Sequence, residues 1–111
     1  MSKSDVYQKE LNKLTEIFAE VDDPKRKLVQ GLIEDAAFLL AENSVLRDII
    51  KTAGMVKVHP NYPEIQKPTE AAKQYLKNVN SYAVVIKTLN GVLSKSLIEP
   101  EDDLSEYEDD G

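Results

Sequence analysis

The stretch from Pro24 to about Ala53 keeps an unbroken helical period, and this constrains the chain more than any other feature. Val29, Leu32, Ala36, Leu39, Leu46, Ile50 and Ala53 fall on one stripe, which Ile33, Ala37 and Leu40 widen. Its limits are written in the sequence. Asp23 is a good N-cap, Pro24 fits the first turn where its missing N–H is not needed, and Gly54 suits the C-terminal cap. A helix of this length spans about 45 Å. A chain of 111 residues buries only about two thirds of its unfolded surface, and so has little material to cover such a rod.

Two further amphipathic segments flank it. From about Ser4 to Val21, Tyr7, Leu11, Leu14, Phe18 and Val21 recur at helical spacing, with Ser4 or Asp5 available as a cap. From Pro68 to about Asn90, Ala72, Tyr75, Val79, Tyr82, Ile86 and Leu89 repeat the pattern, Leu93 extends it, and Asn90-Gly91 is expected to end the helix. Between Gly54 and Lys67 the period is lost to two prolines and a glycine. The segment reads as a loop in which Met55–Val58 could form a short strand. The expectation is an all-α chain: a helical oligomerisation domain over residues 1–93, with helices about 4–21, 24–53 and 68–90, and a flexible acidic tail over 94–111.

The charge is unevenly spread. The thirteen residues from Glu99 onward hold eight of the twenty acids and no base, so the tail carries −8. The remaining residues set twelve acids against fourteen bases, a body of +2 behind an overall −6. A nucleic-acid partner is therefore compatible with the chain despite its acidic sum. There is no cysteine, no apolar run long enough to cross a bilayer, and no leader-like segment at the N-terminus, which together point to a cytoplasmic protein.

Catalytic chemistry finds little footing. The single histidine, His59, cannot supply the three or four ligands of a zinc site, and the glycines are isolated rather than gathered in a phosphate-binding loop. Adjacent carboxylates such as Glu34 and Asp35 point to different sides of a helix. No enzyme activity, cofactor or small-molecule substrate is expected.

What remains are surfaces. Lys25, Arg26 and Lys27 start the second helix, and Lys73, Lys77 and Lys87 line one side of the third. Each group is either a solvated face or, multiplied around an oligomer, a contact for DNA backbone. Asn43 and Arg47 fall within the apolar arc of the second helix and Asp35 at its edge; they either meet water or set register between subunits, a role that Tyr75 and Tyr82 could share. Leu104 and Tyr107 are the only apolar anchors of the acidic stretch from Glu99 onward, suited to docking on a partner.

Two segments resemble small terminase subunits of tailed phages of Gram-positive hosts: LVQGLIEDAAFLLAENSVLRDII at 28–50 and KPTEAAKQYLKNVNSYAVVIKTLNGVL at 67–93. The second carries Tyr75, Tyr82, Ile86, Lys87 and Leu89 in the order of the family's last helix, and an acidic tail follows. The resemblance implies a non-catalytic ring in the host cytoplasm that recognises double-stranded viral DNA and recruits the large ATPase–nuclease subunit, with the tail reaching that subunit or the portal. Residues 1–22 are too short for the helix-turn-helix domain that many such proteins carry. Other readings are a helical adaptor or host-takeover protein acting through its acidic tail, and a head-to-tail connector of the virion.

Overall fold

The computed structural model describes the backbone of residues 1–102 and the side chains of residues 1–96. Three helices, α1 (Lys3–Ile17), α2 (Asp23–Ala53) and α3 (Glu70–Asp102), are joined by a tight turn and by a two-stranded hairpin of β1 (Val56–Val58) and β2 (Gln66–Pro68).

α1 starts one turn earlier than its apolar stripe requires, because Ser2 and Asp5 form a reciprocal capping box. The Asp5 N–H donates to Ser2 Oγ at 3.0 Å and the Ser2 N–H donates to Asp5 Oδ2 at 3.2 Å. The helix ends at Ile17 rather than Val21. Two successive turns, Ala19 N–H to Glu16 O and Val21 N–H to Phe18 O, both 3.1 Å, keep Phe18 and Val21 pointing into the core after the helix has stopped. α2 keeps the predicted span but starts one residue early: the N-cap is Asp22, which makes no side-chain cap bond, rather than Asp23, which is already the first helical residue. Pro24 follows in the first turn and Gly54 closes the helix at φ 83°.

α2 is the central element, packed against both α1 and α3. Leu14, Phe18, Val21, Val29, Ile33, Ala36 and Leu89 form the core, with Leu11, Leu32, Val85 and Ile86 packed around them. Ala36, Ala37, Ala41 and Ala72 are nearly fully buried, and their small size lets the helices approach closely. The result is a plate of 72 × 35 × 16 Å. Its radius of gyration is 20.2 Å, against about 13 Å for a compact chain of this length.

α3 corrects the sequence reading at both ends. It begins at Glu70, capped by Thr69, whose Oγ1 accepts the Ala72 N–H at 3.2 Å. It then passes straight through Asn90-Gly91 to Asp102. Gly91 lies on the solvent side, while Leu89, Val92 and Leu93 hold the next turn against the core. Packing outweighs the roughly 1 kcal/mol that a mid-helix glycine costs. The backbone of residues 94–102 continues α3; Leu104 and Tyr107 lie outside the described residues.

The segment read as a loop is an antiparallel hairpin in which Val56 faces Pro68, Lys57 faces Lys67 and Val58 faces Gln66. Thr69 N–H to Met55 O (2.9 Å) and His59 N–H to Ile65 O (3.0 Å) bracket the ladder. Pro68 therefore falls at an outward-facing position, where a missing N–H breaks no bond. Thr69 secures the base as well: its hydroxyl donates to Gly54 O at 3.0 Å.

Thr69→Val keeps the shape but removes both the helix cap and the Gly54 tie. Chemical denaturation should show a loss of about 1–2 kcal/mol; a wild-type midpoint would mean that Thr69 does not anchor the hairpin.

Candidate functional site

The fold offers interaction surfaces, and the predicted site residues divide sharply among them. Lys25, Arg26 and Lys27 sit in the first turn of α2 together with the acids that precede them. Lys25 is half-buried, with its Nζ 3.9 Å from Asp22; Arg26 bonds directly to Asp23; Lys27 stands 3.8 Å from the same carboxylate. These cations are largely answered locally, at the helix end where the dipole favours the acids. On α3, Lys73 pairs with Glu70 at 3.1 Å. Lys77 and Lys87, both exposed, make no ion pair among the described residues. Ten residues apart, they are separated by about 15 Å along the helix.

The residues expected between subunits also separate. Asp35 and Arg47 are exposed, and Tyr75 is half-buried. Asn43 is only 4% exposed within the single chain, and its Oδ1 has no hydrogen-bond partner. Tyr82 is committed inside the protomer: its hydroxyl donates to Glu10 Oε2 at 2.7 Å, tying α3 to α1. Glu10 is itself buried at 4% exposure and receives Lys13 Nζ at 2.9 Å. Burial raises the Tyr82 pKa well above the ordinary tyrosine value, and the bond to Glu10 and that residue's charge add to the rise.

Other surface residues carry a signal that the sequence reading did not use. Phe38, Val45 and Ile49 are exposed on α2, on the side away from the core. With Leu28, 79% exposed, they lie on a row in which Gly31, Asp35 and Glu42 fill the intervening positions at alternating three- and four-residue steps. That is a second helical seam, broken by two acids, of which Glu42 is paired with Lys3. Leu76, Val79 and Val84 are exposed on α3. The seam was visible as a 3–4 spacing, but the stronger inner stripe masked it.

Among the described residues, no group of three His, Cys, Asp or Glu side chains comes together, and no helix is long and apolar enough to cross a membrane. Comparison with protein-family models, with curated proteins and with solved structures finds no match to this chain.

The buried Glu10–Tyr82 bond gives a pH signature. Because the folded-state Tyr82 pKa is raised, its contribution is fully present below the ordinary tyrosine pKa near 10 and is lost as pH rises further. Unfolding free energy should therefore fall with pH above that point, and Tyr82→Phe should flatten this part of the decline. At neutral pH the same variant should cost about 1–3 kcal/mol by leaving a buried carboxylate oxygen without its donor. Identical alkaline profiles for the two proteins would rule the bond out.

Proposed function

We propose that this chain is the small subunit of a phage DNA-packaging terminase, a non-catalytic ring-forming protein of the host cytoplasm. In this reading it binds double-stranded viral DNA and recruits and regulates the large ATPase–nuclease subunit. The observation that carries the proposal is the exposed apolar row on α2, Leu28, Phe38, Val45 and Ile49, on a helix already packed by α1 and α3 elsewhere. A plate 16 Å thick cannot fold over to cover that row. Copies of the chain can, with the exposed Asp35 inside the row and the exposed Leu76 and Val79 of α3 offering a complementary apolar surface. The two terminase-like segments at 28–50 and 67–93 fall on α2 and on β2–α3, the elements that bear these surfaces.

Lys73, Lys77 and Lys87 supply each subunit with a row of cations, and a ring multiplies them into a multivalent contact for DNA backbone. The acidic C-terminal segment, with Leu104 and Tyr107, docks on the large subunit or the portal.

The native mass of the purified protein tests the assembly. A single species of many chains is expected, and Phe38→Asp with Val45→Asp should dissociate it without unfolding the protomer. A wild-type monomer or dimer at micromolar concentration, in the presence of DNA and the large subunit, would overturn the reading.

Removing residues 99–111 should leave the assembly intact and weaken capture of the large subunit at least tenfold. Unchanged capture would remove the tail from the docking site.

A further inference from the structure

We infer that the β1–β2 hairpin is a phosphate-backbone clamp for double-stranded DNA, with Lys57 and Lys67 as its two cations. The inference rests on the packaging reading for the identity of the polymer, and adds a site that the cation groups of α2 and α3 do not include.

The argument begins with register. Lys57 lies directly opposite Lys67 in the antiparallel pair, so both side chains leave the same face of the ribbon. The bonds at Met55–Thr69 and His59–Ile65 place this pair at an alternate, hydrogen-bonded position, where Cα atoms stand about 5.5 Å apart. Like charges directly opposite are destabilising in a sheet. Among the described residues, seven of the bases meet an acid within 4.0 Å, Lys25 to Lys27 and Lys73 among them. Lys57 and Lys67 make no such pair among the described residues, although they alone face each other across a ladder. A repulsive pair left unneutralised on a strand with only three residues is what an anion would relieve.

The surroundings are built for a ligand. Both lysines line an open concavity of about 350 Å³, together with His59 and the apolar walls of Val58, Pro60 and Ile65. The tip beyond it is fixed before any partner arrives. His59 Nδ1 accepts the N–H groups of Asn61 and Tyr62 at 3.0 and 3.2 Å, and the Ile65 N–H donates to Tyr62 O at 2.8 Å around Pro63. An accepting Nδ1 leaves the ring proton on Nε2, a further donor beside the lysines. The His59 and Tyr62 rings meet at 5.1 Å and brace the turn.

The dimensions favour duplex DNA. Strands of the ribbon lie about 4.8 Å apart, and a B-form major groove about 12 Å wide admits a two-stranded ribbon. From Gly54 to His59 the hairpin reaches roughly 16 Å. It can therefore enter a groove while α2 and α3 stay outside. Two flexible ammonium groups on one face can each meet a phosphate. Glu64, the one acid between Gly54 and Thr69, lies in the turn beyond the lysine pair.

The test is binding of a fluorescent duplex by the full chain over a salt series. Lys57→Gln with Lys67→Gln should weaken binding at least tenfold at low salt. It should also lower the slope of log affinity against log salt by about 1.8 for each hairpin engaged. Lys67→Glu serves as the folding control: it converts a repulsive pair into an attractive one, so thermal stability should hold or rise while DNA affinity falls. Lys57→Arg with Lys67→Arg should restore binding. Wild-type affinity and slope in the glutamine variant overturn the clamp, whatever neutralising Lys73, Lys77 and Lys87 does. So does a wild-type chain that binds no duplex, whereas the packaging reading stands or falls separately on native mass and large-subunit capture.

Discussion

Every other element in this protein is arranged around a helix too long for the chain that contains it. α2 takes 31 of 111 residues and spans about 46 Å. With α1 and α3 packed on it, the remaining chain can cover part of its circumference and no more. Ala36, Ala37 and Ala41, at 0–2% exposure, lie on the covered side of α2. Close approach strengthens dispersion contacts on the covered side. It does nothing for the opposite side, where Phe38, Val45 and Ile49 stay in water. The flat shape and the apolar outer row are thus two consequences of one shortage of covering mass.

Within the plate, the polar tie between Glu10 and Tyr82 sets how α1 lies against α3. A buried carboxylate is costly unless its oxygens are bonded. Glu10 has both a tyrosine hydroxyl at 2.7 Å and a lysine ammonium at 2.9 Å. Sliding α1 by a turn would strand that charge, so the bond fixes register where leucines and valines alone would tolerate small shifts. Asn43 behaves differently. It is as buried as Glu10, yet its carbonyl oxygen has no donor, so it adds cost without the same geometric lock.

How far the fold could be read from sequence depends on the length of the signal. α2 was legible because thirty residues of one period lie between Pro24 and Gly54, each matched to its end of a helix. The hairpin was not, because strands of three residues offer one alternation, Val56-Lys57-Val58, and the pairing partner Gln66–Pro68 contains a proline. Only the three-dimensional register shows that Pro68 occupies a position where proline does no harm. Gly91 misled for a related reason. A glycine ends a helix when the chain must adopt positive φ, as Gly54 does at 83°. With Leu89, Val92 and Leu93 still facing the core, no such demand arises at 91. Tyr82 stands on the apolar stripe of α3, and the partner of its hydroxyl within the chain, Glu10, lies 72 residues away, beyond any local pattern.

The same limit governs the cations. Clusters close in sequence, such as Lys25-Arg26-Lys27, are conspicuous, but sequence proximity also brings Asp22 and Asp23 near enough to neutralise them. Lys57 and Lys67 are inconspicuous, ten residues apart and separated by two prolines, yet the ladder sets them face to face. Helix starts collect acids because the dipole rewards them there. A cation on a helix start therefore tends to be answered at home, while a cation pair on an isolated ribbon has no such neighbour. For a polyanion, the relevant quantity is unneutralised positive charge held in fixed geometry. By that measure the hairpin, with its bonded base at Thr69 and its bonded tip at His59, outranks the more basic-looking first turn of α2.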